Sequence, residues 1–176
     1  MLRPDGRCLH DTRYHGGGLP GPDLLEASMA LVRGCSFPDN LFYDVVRHVW
    51  YAPHEGGLVR LGITPVGVAL AREVLIFTPK RVGKPFEAGR AMATVESAKW
   101  VGSVRAGFAG TVEAINEALV AHAASVNSDC YGEGWMMLVR PTDTDWQADL
   151  VTGPAVAAAY EAWMEENGFE GCASCT

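Results

Sequence analysis

The sequence lacks any apolar run long enough to cross a bilayer, although nearly half of its 176 residues are apolar. A membrane-spanning helix needs about 20 consecutive apolar residues. The N-terminus also lacks a basic region followed by an unbroken apolar segment, because Glu26 interrupts the stretch of residues 24–32. We therefore expect a cytoplasmic protein with no membrane partner.

Positive charge is scarce as well. The 14 lysine and arginine residues are outnumbered by 21 acidic ones, which gives a formal net charge of −7. The basic residues form no stripe or cluster of the kind that attracts a phosphate backbone. We expect no nucleic-acid partner.

The cysteines are odd in number, and in a cytoplasmic chain we expect free thiols rather than a disulfide framework, with a redox role left open. The five are Cys8, Cys35, Cys130, Cys172 and Cys175. Cys172-Ala173-Ser174-Cys175 has the spacing of a redox pair or of half a zinc site. No second pair has ligand spacing and the histidines are scattered, so the sequence predicts no metal site. A small thiol oxidoreductase is also disfavoured, because this motif follows a predicted helix instead of opening one.

The length fits one globular domain with flanking segments. Residues 1–28 contain Gly16-Gly17-Gly18 without hydrophobic periodicity, so we predict a mobile N-terminal extension. A start codon assigned too far upstream is the alternative. The domain is expected to span residues 29–168, followed by a cysteine-containing tail at 169–176 that is mobile or held only by its aromatic residue.

Short β-rich runs separated by turn residues predict a mainly β domain, a sandwich or flattened barrel of antiparallel strands. The predicted strands cover residues 45–51, 58–64, 74–78, 91–95, 110–115 and 135–139. Thr64 and Pro65 supply a cap and a first helical residue for a short helix at 66–72, and a second helical turn is expected at 116–121. Pro154 and Gly168 delimit a C-terminal amphipathic helix whose apolar face carries Val156, Tyr160, Trp163 and Met164.

The most informative stretch is residues 81–116, where glycines bracket two predicted strands around a lysine. Val82-Gly83 and Ala88-Gly89 precede the first strand, while Ala106-Gly107 and Ala109-Gly110 follow the second. Glycine permits sharp reversals, so the segment Glu96-Ser97-Ala98-Lys99 is predicted to form the tip of a hairpin. An exposed lysine there suits a covalently attached arm, because a modifying enzyme can reach the amine and the arm can swing. A solvated surface lysine is the alternative.

Several motifs, in the same order along residues 41–140, resemble the H protein of the glycine cleavage system. They include His48-Val49-Trp50-Tyr51, Leu61-Gly62-Ile63-Thr64, Val95-Glu96-Ser97-Ala98-Lys99, Asn116-Glu117-Ala118-Leu119 and Tyr131-Gly132-Glu133-Gly134-Trp135. The resemblance implies a barrel-sandwich hybrid of two antiparallel sheets with short helices and a C-terminal amphipathic helix. It also implies lipoic acid attached covalently to Lys99 and no catalysis by the carrier alone. Biotin carriers usually have a methionine on each side of the attachment lysine, whereas this chain has Ala98 and Trp100 beside Lys99.

Three further stretches look like the lipoate-binding proteins of bacteria that oxidise sulfur through a heterodisulfide-reductase-like system. They are Cys35-Ser36-Phe37-Pro38, Leu41-Phe42-Tyr43-Asp44-Val45 and Glu96-Ser97-Ala98-Lys99-Trp100-Val101-Gly102. Glycine-cleavage carriers usually have a small residue after the lysine. This resemblance implies a swinging arm that carries a sulfur-containing intermediate between enzymes. A glycine-cleavage carrier of an aminomethyl group and an unmodified protein-interaction module are the alternatives.

The resemblance also implies partners and roles. Glu96 is expected to help a lipoate-protein ligase recognise the turn, or else to be a solvated acid. Trp100 is expected to distinguish partner enzymes, or to cover apolar surface at the base of the turn. The expected partners are that ligase, a heterodisulfide-reductase-like complex and dihydrolipoamide dehydrogenase, and the carrier is expected to be a monomer.

Two residue types outside the turn complete the expectations. His48 is expected to be a packed or capping histidine rather than a base. Cys130 stands where glycine-cleavage carriers usually have proline, and we interpret it as a tolerated loop substitution. A further hypothesis is that Cys35, or the pair Cys172 and Cys175, exchanges with the lipoyl dithiol.

Overall fold

The computed structural model describes residues 28–172, so most of the expected N-terminal extension and the last four residues of the tail lie outside the described residues. The described chain is mainly β with a C-terminal helix, as predicted. Its strands are β1 (Met29–Val32), β2 (Cys35–Pro38), β3 (Phe42–Asp44), β4 (Val49–His54), β5 (Leu58–Ile63), β6 (Ile76–Pro79), β7 (Pro85–Phe86), β8 (Ala91–Glu96), β9 (Val101–Arg105), β10 (Gly110–Ile115), β11 (Met137–Pro141) and β12 (Val151–Thr152). Its helices are α1 (Pro65–Ala71), α2 (Glu117–Ala121), α3 (Ser125–Ser128) and α4 (Ala155–Glu166). No helix within residues 28–172 has the length and apolar character needed to cross a membrane.

A seven-stranded antiparallel sheet forms the largest layer, with the strand order β12-β3-β4-β5-β11-β10-β7. Its centre is the β4–β5 pair, in which Trp50 lies opposite Gly62. The Trp50 indole is buried and donates from Nε1 to the carbonyl of Cys130 at 3.0 Å. A Cβ at position 62 would come within 2.9 Å of that ring. Glycine at position 62 therefore leaves the space that the largest core side chain fills.

One predicted strand begins later than expected. Residues 45–48 belong to a turn, and β4 starts only at Val49. The Asp44 carboxylate accepts from the backbone N–H of Arg47 at 3.0 Å and pairs with its guanidinium at 2.8 Å, while His48 adopts a φ of +55°. A side chain that bonds the backbone three residues ahead stabilises a turn, and this local bond outweighs the β propensity of the two valines between.

Helices α1 and α2 begin where their capping residues predict. The Thr64 hydroxyl accepts from the N–H of Gly67 at 3.3 Å, and Pro65 opens α1. Asn116 accepts from the N–H of Leu119 at 3.2 Å at the start of α2. Its amide also donates to the carbonyls of residues 133 and 135 at 2.8 and 2.7 Å, which ties the helix start to the loop before β11. This cap is buried and holds two segments of the core together.

Helix α4 packs one face against the core, as its periodicity predicts. Val156, Tyr160 and Met164 are buried, and Trp163 is partly buried against the same core. Gly168 takes a φ of +61° just past the helix end, the left-handed conformation that glycine adopts at low cost. The C-terminal amphipathic helix is confirmed.

The described residues form two larger antiparallel sheets, of seven and three strands, and one small additional sheet. The third is a separate hairpin of β1 and β2, closed by a turn at Arg33 and Gly34 with φ values of +44° and +78°. A disulfide between Cys35 and Cys172 joins this hairpin to the segment after α4. The hairpin pairs only with itself within the described chain and is held from the side by the C-terminal segment.

The disulfide corrects two sequence-based expectations. Cys35 and Cys172 are not free thiols, and residues 169–172 are tied to the core by more than the aromatic Phe169. Glycine permits the close approach: a Cβ at position 34 would lie 2.8 Å from the Cys172 carbonyl oxygen, and one at position 171 would overlap the backbone of Arg33. The two cysteines are 137 residues apart, so their pairing depends on the fold and not on any local spacing.

Candidate functional site

The predicted hairpin lies in a three-stranded sheet of order β6-β8-β9. Strand β8 ends at Glu96 and β9 begins at Val101, so residues 97–100 form the reversal. The backbone N–H of Ser97 donates to the carbonyl of Trp100 at 2.8 Å and closes it. Ala98 and Lys99 occupy the exposed tip. The geometry around Lys99 is the one expected from the flanking glycines.

Lys99 differs from the other two lysines of the chain, Lys80 and Lys84. The Lys80 ammonium donates to the carbonyl of Pro85 at 2.9 Å and is held against the loop. Lys84 is exposed, but its carbonyl accepts from the N–H of Val112 at 3.1 Å, so its backbone is fixed to the seven-stranded sheet. Lys99 makes no ion pair with a described residue. A free amine at the tip of a narrow hairpin fits an amide-linked arm.

Glu96 lies in the last row of the sheet, opposite Ile76 on one side and Val101 on the other. Its carboxylate is half-buried and forms no ion pair with a described residue, while its carbonyl accepts from the N–H of Leu75 at 2.8 Å. The acid therefore stands between two exposed apolar side chains, on the strand that leads to Lys99. This position suits recognition by another protein.

Trp100 follows Lys99 directly and lies against the start of β9. A Cβ added to Gly102 would overlap the outer atoms of the Trp100 six-membered ring, so the indole occupies the space that a side chain at position 102 would fill. The residue nonetheless remains 45% exposed. Trp100 thus covers the strand and also presents an open surface beside Lys99, and both sequence-based interpretations of its role stay predictions.

Exposed apolar residues surround the tip. Ile76 and Val101 flank Glu96 in one row, and Leu75 precedes β6; these three side chains are about half exposed or more. Sequence reasoning missed Leu75 and Ile76, because only the pairing of β6 with β8 brings them beside Lys99. It quoted Gly102 within a motif but gave it no role, since the ring that needs the space could not be located.

The cysteine motif in the tail has its first sulfur engaged by another part of the chain. The Cys172 sulfur is bonded to Cys35, so it is neither a free zinc ligand nor paired with Cys175, which lies outside the described residues. Within residues 28–172 no group of three or more His, Cys, Asp or Glu side chains could hold a metal ion. The hypothesis of exchange with a lipoyl dithiol stays a prediction.

Cys130 is a buried free thiol. Burial raises its pKa, so the sulfur stays protonated and unreactive near neutral pH. Its carbonyl holds the Trp50 indole, a bond that any residue at position 130 could accept. These observations favour the interpretation of a tolerated loop substitution.

His48 is packed and lies outside the hairpin. Its ring contacts Trp163 edge to face, with 4.3 Å between the centroids, and burial lowers the pKa of His48 to about 4. Its carbonyl accepts from the N–H of Thr64 at 2.9 Å. A neutral histidine in contact with α4 supports the expected structural role.

Comparisons with known proteins agree with this geometry. The family model of the glycine cleavage H-protein matches residues 42–165. Glycine cleavage system H protein 5 of Aquifex aeolicus is 38% identical over 81% of this chain and 99% of that protein. A probable H protein 3 of Sulfolobus acidocaldarius is 38% identical over 62% of this chain and 75% of its own length.

A solved structure supports the same assignment. The crystal structure of a glycine cleavage system H protein from Mycobacterium marinum superposes with a TM-score of 0.62 at 30% sequence identity, covering 76% of this chain and all of that one. Members of this family are non-catalytic carriers with lipoate attached covalently to a lysine. On the extent of the family match, the chain belongs to the glycine cleavage H-protein family and is an H-protein-like lipoyl carrier.

Proposed function

We propose that Lys99 carries the lipoyl group and that this carrier serves cytoplasmic sulfur oxidation, passing a sulfur-containing intermediate between enzymes of a heterodisulfide-reductase-like system. The observation that carries the assignment of Lys99 is its position at the exposed tip of the β8–β9 hairpin, without an ion-pair partner among the described residues. Lys80 is engaged by a carbonyl, and Lys84 lies on backbone that is fixed to a sheet.

The chemistry of the arm belongs to the cofactor. When bound, a lipoyl group supplies a ring disulfide that opens to a nucleophile and recloses on oxidation of its two thiols. The residues of the protein hold the lipoyl group at the surface and orient it. An amide at Lys99 removes the ammonium charge, and so removes the cost of desolvating that charge in a partner's apolar active site. The hairpin keeps the attachment point clear of the larger sheet.

The sulfur-oxidation branch is supported by the residues after the lysine. Trp100, Val101 and Gly102 follow Lys99 in the order typical of that branch, and Trp100 presents a large apolar surface where a partner must approach. The relatives in Aquifex aeolicus carry the numbers 2, 3 and 5, so one organism holds several such proteins. Several carriers in one cell leave room for a carrier outside glycine cleavage. The alternative is an H protein of the glycine cleavage system that carries an aminomethyl group.

Glu96 is proposed to help the lipoate-protein ligase recognise the turn. Its carboxylate stands on the strand leading to Lys99 and pairs with no described residue, so it is available to a basic group on the ligase. The substitution Glu96→Gln keeps the shape and removes the charge. We expect slower lipoylation, with unchanged melting temperature, because a surface carboxylate without a partner contributes little to stability.

Lipoylation in vitro tests the attachment site. The apo-protein is incubated with lipoate-protein ligase, lipoate and ATP, and modification is followed by intact mass. We expect the wild type and Lys84→Arg to gain one lipoyl group and Lys99→Arg to gain none. Lipoylation of Lys99→Arg at another lysine would contradict the assignment.

A second experiment separates the two pathways. The lipoylated protein is supplied to glycine decarboxylase in an exchange assay between glycine and carbon dioxide, with an established glycine-cleavage H protein as the positive control. We expect little exchange with this carrier. Deleting its gene is expected to impair growth on reduced sulfur compounds and to leave glycine use unchanged. Full exchange activity together with normal sulfur oxidation would favour the glycine-cleavage alternative.

A further inference from the structure

We infer that Trp100 is an intramolecular resting site for the arm: the dithiolane ring at the end of a lipoylated Lys99 packs on the open surface of the Trp100 indole, and Gly102 is the positioning residue that seats this indole. The inference rests on the proposed attachment at Lys99. It adds a binding role for two residues that the carrier function alone does not require.

The requirement for glycine at position 102 comes from space and not from backbone conformation. Gly102 is absent from the glycines with positive φ in the described chain, so any residue could adopt its backbone angles. A Cβ there would nevertheless overlap three atoms of the Trp100 ring. Glycine at position 102 therefore has one evident consequence, which is that it leaves the space beside β9 that the indole fills.

The seated indole is held on one side and open on the other. Contact with the strand restricts the two side-chain torsions of Trp100, yet the residue remains 45% exposed. A flat aromatic surface that is already ordered binds an apolar group with little further loss of conformational entropy. An ordered aromatic ring that is half exposed can serve as a binding surface for such a group.

The Trp100 ring lies on the face of the sheet that packs on the core. It occupies the Cβ position of Gly102, and Gly102 shares a row with Val95 and Phe77, whose side chains are buried. Alternation along the chain places Leu75 on the same face as Phe77, where it is 47% exposed. Leu75 and Trp100 are therefore exposed apolar side chains at the end of this face.

The arm is the occupant that the geometry favours, because it is attached to the residue next to the ring. A short tether raises the effective concentration of a weak ligand to the millimolar range. Contacts between sulfur and aromatic rings are weak individually. The arm therefore exchanges readily between a docked and a free state. A partner enzyme can then draw the arm away without a large energetic cost, which a shuttle requires.

Nuclear magnetic resonance on the intact chain tests the inference. The protein is labelled with nitrogen-15, lipoylated by the ligase, and checked by mass and peptide mapping for the adduct on Lys99. The indole N–H signal of Trp100 is assigned by its loss in Trp100→Phe. We expect this signal to shift on lipoylation, and we expect nuclear Overhauser contacts between the dithiolane protons and the indole protons. The buried Trp50 indole serves as an internal control and should not shift.

A pair of variants tests whether the contacts depend on the position of the indole over Gly102 or on the turn in general. Gly102→Ala displaces the indole and is expected to abolish the contacts, whereas Val101→Ala removes an exposed side chain from the neighbouring row and should preserve them. Contacts that persist in Gly102→Ala would overturn the positioning role. A chain lipoylated on Lys99 that shows neither shift nor contacts would overturn the resting site alone, and a Lys99 that the ligase leaves unmodified would overturn the proposed attachment as well.

Discussion

Removal of the disulfide between Cys35 and Cys172 should lower the stability of the fold without abolishing it. The bond closes a loop whose ends are 137 residues apart. By the entropy of loop closure in the unfolded chain, a loop of this length stabilises the folded state by about 5 kcal/mol, and native disulfides commonly contribute about 2–5 kcal/mol. A loss of about 4 kcal/mol corresponds to a fall of about 8–16 °C in melting temperature for a chain of this size.

Polar contacts around the bond should keep the hairpin in place after reduction. Arg33 donates from Nε to Glu161 at 2.9 Å and from Nη1 to the carbonyl of Phe169 at 3.0 Å, and its own carbonyl accepts from the N–H of Cys172 at 3.0 Å. These contacts do not depend on the sulfur–sulfur bond. We therefore expect the reduced protein to unfold cooperatively at the lower temperature.

The assay is thermal unfolding followed by circular dichroism, with and without dithiothreitol. The double variant Cys35→Ala/Cys172→Ala should melt well below the oxidised wild type and should not respond to the reductant. The wild type should fall to a similar temperature when reduced. Equal melting temperatures for the variant and the oxidised wild type would refute the reasoning, because they would mean that the bond does not constrain the unfolded chain.

Three further predictions concern stability. Burial lowers the pKa of His48 to about 4, so between about pH 6.5 and pH 4 the unfolded chain binds one more proton than the folded chain. The free energy of unfolding should therefore fall by about 2–3 kcal/mol as the pH is lowered across that window. Urea unfolding should show a smaller fall in His48→Asn than in the wild type or His122→Asn. Asn116→Ala removes a helix cap and leaves two partly buried carbonyls without their donor, so the free energy of unfolding should fall by about 2–4 kcal/mol. A loss below 1 kcal/mol in chemical denaturation would contradict this role. Gly62→Ala places a methyl group against the Trp50 ring and should destabilise the core by about 1–3 kcal/mol, measured in the same way, and a neutral result would show that the ring can move freely.

The elements that the sequence could predict are those specified by neighbouring residues. Thr64 and Pro65 start α1 through a cap and a fixed φ, and Gly168 follows α4 in a left-handed conformation. The hairpin around Lys99 was predicted because glycines mark the turns beyond both strands. Each of these signals acts over a few residues, so no knowledge of the tertiary fold is needed to read it.

The features that could not be predicted depend on residues far apart in the chain. The bond from Cys35 to Cys172 requires the hairpin of β1 and β2 to meet the segment after α4, and an odd number of cysteines gives no hint of that pairing. The later start of β4 follows from a side-chain bond made by Asp44, which competes with the β propensity of the residues after it. The seat of Trp100 on Gly102 is local in sequence, yet it depends on a rotamer that composition and periodicity do not specify.

The account depends most directly on the lipoyl group at Lys99, so the decisive measurement is the intact mass of the protein purified from its native host, with peptide mapping around the hairpin. We expect a single lipoyl adduct, located on Lys99. An unmodified Lys99 in cells whose other lipoyl proteins are fully modified would contradict the account and would reduce this chain to a binding module that retains the fold without the arm.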